Sequence, residues 1–108
     1  MVCSTAHLDL CITVGDDWID VLEFVNADGT PFVLTGRNYR SEIRTNGGGL
    51  VAAIVATVVV DEVQLSLPAA TTSTITPGVY PWDLVETVAG DEQTILAGHV
   101  KVKARVTV

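Results

Sequence analysis

The sequence has few charged residues, and basic residues are scarcer than acidic ones. Charged residues make up 18% of its 108 residues, below the roughly 25% of an average soluble domain. Six Lys and Arg residues stand against thirteen Asp and Glu residues, which gives a formal net charge of −7. Because nucleic-acid binding requires a basic surface, this balance argues against a general DNA- or RNA-binding protein.

Cysteine and histidine are scarce as well, at two residues each. If the N-terminal residues form one extended strand, Cys3 and Cys11 lie roughly 26 Å apart, whereas a disulfide needs Cα atoms within about 7 Å. We therefore expect free thiols, which suit synthesis in a reducing cytoplasm. His7 and His99 show no ligand spacing with the cysteines, so the sequence predicts no metal site and no cofactor.

The chain also lacks a long apolar run and a catalytic motif. Its most apolar stretch, residues 50–60, has eleven residues, and a helix needs about 20 to cross a bilayer. The N-terminus shows no basic region followed by an apolar core, so we expect no secretory signal and no membrane association. Neither histidine has a Ser, Cys or acid at a recognisable motif spacing, which disfavours an enzyme.

Apolar residues are abundant, at 48%, and many of them alternate with polar ones. After the turn signal Pro77-Gly78, alternate positions carry Tyr80, Trp82 and Leu84. A period of two is typical of a strand with one buried face. The same period runs through residues 93–108, which we expect to form one long strand.

That last strand has an apolar inner face, which includes Val100 and Val102. Its other face carries a row of basic residues, which we name the basic stripe: His99, Lys101, Lys103 and Arg105. Two interpretations of the stripe stay open, a solvated outer face and a contact with an acidic neighbour.

Earlier segments add further strand patterns and complete the predicted core. Their inward positions are Trp18, Leu22, Phe24, Tyr39, Ile43, Leu65 and Leu67. We expect an all-β protein, an antiparallel β-sandwich of seven to nine short strands with at most one short helical turn, within residues 69–75. Residues 1–108 are expected to form one domain, with an N-terminal arm at residues 1–5.

Two features interrupt these patterns. Asp20 breaks the apolar face of its strand and marks a bulge, an exposed strand edge or a bond to a buried donor. The second feature is a glycine run, Gly47, Gly48 and Gly49. A phosphate-binding loop would need a following helix and usually a Lys. A strand pattern follows instead, so we expect a hairpin tip.

The order of turn and core motifs resembles a small β-sandwich module found in the virions of tailed bacteriophages. It is similar to the N-terminal domain of siphophage baseplate upper proteins and to short stand-alone sandwich proteins of actinobacteriophages. Asp20 and Ser41 depart from the pattern, since the module has larger apolar residues there. The motifs that carry the resemblance are Gly15-Asp16-Asp17-Trp18, Asp28-Gly29-Thr30-Pro31, Leu34-Thr35-Gly36, Ile43-Arg44, Leu65-Ser66-Leu67, Thr74 to Gly78, Tyr80-Pro81-Trp82-Asp83-Leu84 and Leu96-Ala97-Gly98-His99-Val100.

The resemblance implies a structural virion protein with no catalytic residues. Because nothing follows Val108 to act as a fibre, we expect a capsid decoration or cement role, a minor capsid protein bound in many symmetric copies. Its implied partners are the major capsid protein or another virion protein, and further copies of itself in the particle. A tail or baseplate adaptor is the alternative.

A third alternative is a ligand-binding sandwich outside the virion. A carbohydrate-binding protein would need exposed aromatic residues, whereas Trp18, Tyr80 and Trp82 fall in phase with apolar neighbours. The segments expected to contact a partner are the glycine tip, the basic stripe and the arm at residues 1–5.

Overall fold

The computed structural model describes residues 6–24, 28–29, 34–59 and 62–106. The arm expected at residues 1–5 lies outside this part of the chain. Within it there are eight strands and one helical turn, so the all-β prediction is confirmed. These elements are β1 (Ala6–His7), β2 (Leu10–Thr13), β3 (Trp18–Glu23), β4 (Arg37–Arg44), β5 (Leu50–Val59), β6 (Glu62–Leu67), α1 (Ala69–Thr72), β7 (Gly78–Val88) and β8 (Asp91–Lys103).

Strand pairing follows the order β1-β8-β7-β4-β5-β6-β3, and β2 also pairs with β8. The first half of β5 pairs with β4, and its second half pairs with β6. Because one strand serves two neighbours in succession, the sheet curls into two layers. The large sheet contains β1, β2, β8, β7, β4 and the start of β5, and the small sheet contains the end of β5, β6 and β3. The pairs are antiparallel except that β1 and β2 run parallel to β8.

The core lies between the two sheets. Of the residues that the sequence assigned to it, five are partly buried and pack against the buried cluster: Trp18, Leu22, Phe24, Tyr39 and Tyr80. The other seven are buried: Ile43, Leu65, Leu67, Trp82, Leu84, Val100 and Val102.

The helical turn α1 closes one end of the sandwich. Thr72 on α1 is fully buried. Its hydroxyl donates to the carbonyl oxygen of Asp16 at 2.8 Å and accepts from the amide of Gly15 at 3.1 Å. The carboxylate of Asp17 accepts from the amide of Ala69 at 2.7 Å. These bonds join α1 to the turn between β2 and β3.

Asp20 and Ser41, which interrupt apolar faces, both lie in regularly paired strand. β3 pairs with β6 from Trp18 to Glu23 without a register shift, so Asp20 marks no bulge. It lies on the outer strand of the small sheet and is partly exposed. Ser41 is buried, and its hydroxyl donates to the carbonyl oxygen of Asp83 at 2.7 Å.

The prediction of one strand through residues 93–108 is wrong at its C-terminal end. β8 ends at Lys103, where its pairing with β2 also ends opposite Thr13. The alternation of apolar and polar residues continues beyond Lys103, but no described strand pairs with residues 104–106. Val106 is therefore 98% exposed. Residues 107–108 lie outside the described part.

Candidate interaction surface

The basic stripe lies on the outward face of the large sheet. His99, Lys101 and Lys103 are exposed and alternate along β8 with the buried Val100 and Val102. Arg105 is exposed too but lies beyond the end of the strand. The structure thus brings three of the four residues into one row.

Two members of the stripe are engaged within the domain. Arg105 donates to the carbonyl oxygen of Gly15 at 2.9 Å and forms an ion pair with Asp16. The amide of His99 donates to the carboxylate of Asp9 at 3.0 Å, and this bond lowers the pKa of Asp9. His7 also contacts that carboxylate, at 2.9 Å. These groups join the N-terminal strands to β8.

The two lysines differ from every arginine in the chain. All six Lys and Arg residues lie in the described part. Neither Lys101 nor Lys103 forms an ion pair with a described residue, whereas each arginine forms one. The arginine pairs are Arg37–Glu86, Arg40–Glu92, Arg44–Glu42 and Arg105–Asp16.

Apolar surface borders Lys101. In the strand register Lys101 lies between Cys11 on β2 and Val79 on β7. Val79 is 57% exposed, and the thiol of Cys11 is free and exposed. The same residues, with Asp9, Leu10 and His99, line a shallow groove of about 380 Å³.

The glycine run forms the turn between β4 and β5, as expected for a hairpin tip. The amide of Thr45 donates to the carbonyl oxygen of Gly49 at 2.7 Å, and the amide of Gly48 donates to Thr45 at 2.9 Å. Arg44 donates to the carbonyl oxygen of Gly48 at 2.8 Å. Gly48 has a φ of 92°, a left-handed conformation that favours glycine.

A second groove, of about 330 Å³, connects this tip with β8, because Gly48 and Gly98 both line it. Two acidic residues lie along it, Asp83 and Glu42, which face each other across β7 and β4. Burial raises the pKa of Asp83 above its usual 3.8, and the neighbouring charge of Glu42 adds to the rise. Arg44 also lines this groove and forms an ion pair with Glu42 at 2.9 Å, so the charge near the tip is mixed, whereas the lysines form a purely basic part of the same face.

Trp82 and Gly98 fix the N-terminal strands at the edge of the large sheet. The chain leaves the ladder between β1 and β2, at Leu8 and Asp9. Trp82 Nε1 donates to the carbonyl oxygen of Leu8 at 2.8 Å. A Cβ on Gly98 would lie 2.0 Å from that oxygen, so only glycine allows this approach.

A polar cluster that sequence reasoning missed joins β4 to β7. Glu86 is 9% exposed and accepts from Arg37 at 2.8 Å and from the Tyr39 hydroxyl at 2.7 Å. Burial raises the pKa of Tyr39 above its usual 10, and the bond to Glu86 raises it further. The cluster was hard to predict from sequence because Glu86 occupies the next inward position after Trp82 and Leu84, where an apolar residue is expected.

The described residues contain no group of three or more His, Cys, Asp and Glu side chains that could hold a metal ion. The same residues contain no helix that is long and apolar enough to span a membrane.

No protein-family model matches the sequence, and no curated protein matches it. Solved structures do share its fold. The Lin-41 filamin domain is similar at 14% identity and a TM-score of 0.50, over 86% of this chain and 82% of that one. An immunoglobulin complex of titin and obscurin-like 1 is similar at 17% identity and a TM-score of 0.51. The match covers 94% of this chain and 90% of that one.

A third similar structure is an endo-fucoidan hydrolase of glycoside hydrolase family 107, at 12% identity and a TM-score of 0.58. The match covers 97% of this chain but 14% of the hydrolase. At these identities the likeness concerns the fold alone. A contact of Tyr80 agrees with this fold. Its hydroxyl donates to the carbonyl oxygen of Thr76, two residues before β7 begins, as in the tyrosine corner of such sandwiches. The chain therefore has the fold of an immunoglobulin- or filamin-like β-sandwich.

Proposed function

We propose that this protein is a non-enzymatic structural component that binds a larger assembly through the outward face of its large sheet. The observation that carries the proposal is the pair Lys101 and Lys103, which form no ion pair with the described residues of a chain whose net charge is −7. Exposed Val79 lies beside Lys101. Free cations next to apolar surface are suited to an acidic partner with an apolar centre.

The assembly we propose is the virion of a tailed bacteriophage, with the protein as a decoration protein on the head. The resemblance of its turn and core motifs to virion sandwich modules supports this assignment. The groove near Gly48, lined by Asp83 and by the ion pair of Glu42 with Arg44, gives the face a second part with a different charge pattern. A partner whose charges complement both parts would bind in one orientation, as a regular lattice requires.

Co-sedimentation tests the proposal. The purified protein is mixed with phage heads that lack it, with tails as the parallel sample. Binding to heads at a fixed stoichiometry supports decoration, and binding to tails alone supports the adaptor role instead. Binding to neither contradicts a virion role.

A charge reversal tests the surface. Lys101→Glu should weaken binding to heads, and so should added salt, because the contact depends on exposed charges. Lys101→Gln and Thr57→Glu form the matched pair for net charge, since each lowers it by one and Thr57 is exposed on the half of β5 that belongs to the small sheet. Equal losses for the two variants would contradict a role of the lysine face.

A further inference from the structure

Strand β3 has an outer edge of the kind that pairs readily with another strand. In the described structure it pairs only with β6, and it is the last strand of the sheet order. Its six residues pair regularly, and their outward side chains include Ile19 and Val21, which are 67% and 43% exposed. A regular apolar edge is a template for pairing with a second chain.

Asp20 occupies an inward position on this edge strand. It lies opposite the fully buried Leu65. Its neighbours on the same face, Trp18 and Leu22, pack against the core. The alternation of β3 would place an apolar residue at position 20. Asp20 remains partly exposed, and its Oδ1 accepts the amide of Val21 at 3.0 Å.

We propose that the Asp20 carboxylate blocks the edge of β3 that no described strand covers against pairing with a second copy of this chain. An incoming strand would remove water from the carboxylate, and it would compete for the Val21 amide that the carboxylate now binds. Burial of an unpaired carboxylate is unfavourable. An inward-pointing charge on an edge strand is one of the ways in which natural sheets avoid edge-to-edge association. This inference is independent of the proposed function.

The test compares Asp20→Val with Glu92→Val. Both variants exchange one carboxylate for valine, but Glu92 is an exposed residue of β8 in the other sheet. Light scattering coupled to size-exclusion chromatography measures the mass of each variant over a range of concentrations, and circular dichroism checks the fold. For Asp20→Val we expect the concentration at half-association to fall at least tenfold below the wild-type value.

A second substitution tests whether β3 is the surface involved. Val21→Pro, added to Asp20→Val, removes the amide that an incoming strand would use, and proline is tolerated on edge strands. The double variant should return to the wild-type mass. If it fails to fold, hydrogen exchange on the single variant replaces it, and the amides of Trp18–Glu23 should gain protection on association.

Three results would overturn the proposal. The mass of Asp20→Val could stay at the wild-type value at every concentration. Glu92→Val could associate as strongly, which would assign the effect to net charge. Association could also persist without protection of β3, which would place the contact elsewhere.

Discussion

Trp82 Nε1 donates a hydrogen bond of 2.8 Å to the carbonyl oxygen of Leu8, a residue 74 positions earlier in the chain. The indole is 3% exposed, so the donor has little access to water. Leu8 lies in the gap between β1 and β2, where regular pairing with β8 stops. One side chain of β7 therefore both fills the core and holds the N-terminal strands on the sheet.

Trp82→Ala should destabilise the domain by about 3–5 kcal/mol, the usual range for removal of a buried large aromatic side chain. Trp82→Phe keeps an aromatic ring but leaves the Leu8 oxygen without its donor, so we expect a smaller loss of about 1–3 kcal/mol. Urea unfolding measures both values. Wild-type stability of the alanine variant would show that Trp82 is exposed and would favour a ligand-binding role.

Gly98→Ala should loosen the N-terminal strands, because the new Cβ would lie 2.0 Å from the Leu8 oxygen. Forced overpacking of this kind costs about 1–3 kcal/mol. Gly47→Ala is the matched control, since its Cβ would meet only one atom, at 3.9 Å. Hydrogen exchange should show faster exchange in β1 and β2 for Gly98→Ala alone, and unchanged exchange there would contradict the close approach.

Deletion of Gly47 to Gly49 should spare the fold but weaken assembly. The deleted residues are exposed and belong to the turn between β4 and β5, away from the buried core. Thermal melting followed by circular dichroism checks the fold, and co-sedimentation with heads checks assembly. A variant that fails to fold would show that the turn does more than join two strands.

The pKa of Tyr39 makes a prediction for alkaline pH. Its pKa is raised above 10 in the folded protein, so folding favours the neutral phenol. This contribution to stability is complete below pH 10 and is lost as the pH rises through the folded-state pKa. The free energy of unfolding should therefore fall more steeply above pH 10 in the wild type than in Tyr39→Phe. Urea unfolding on both sides of pH 10 measures this, and parallel curves would argue against it.

Thr72→Val should destabilise the domain by about 1–3 kcal/mol, because it leaves the Gly15 amide and the Asp16 carbonyl without the hydroxyl of the buried Thr72 as their partner. Valine has nearly the same shape, so the change isolates the hydrogen bonds. Thr74→Val is the control, since its exposed hydroxyl bonds only within its own turn. Equal stability of the two variants in urea would contradict a role of Thr72 in joining α1 to the β2–β3 turn.

Alternation was informative wherever one face of a strand is buried. It assigned Trp82, Leu84, Val100 and Val102 to the inside, because burial on one side of a pleated strand imposes a period of two. It was less informative for β5, whose Val- and Ala-rich residues pair with β4 first and with β6 afterwards. A change of partner and layer within one strand is not visible in local sequence.

The sequence revealed less of the polar contacts. Glu86 is buried because Arg37 and Tyr39 approach from a strand more than 40 residues away. The arginines form ion pairs and the two lysines form none with the described residues. This difference depends on which acidic residues the fold brings near each cation, and residue spacing along the chain does not reveal it. The basic stripe could therefore be read from sequence, but the engagement of Arg105 could not.

Pairing of β2 with β8 also has a consequence for the order of folding. The bond between Asp9 and His99 spans 90 residues, and the whole β2–β8 ladder has similar separations. Contacts so distant in sequence form slowly, because a long loop must close first. During synthesis β1 and β2 lack β8, the strand with which they pair in the described structure, until residues 91–103 have left the ribosome. We therefore expect the N-terminal strands to be the last part of the large sheet to become protected.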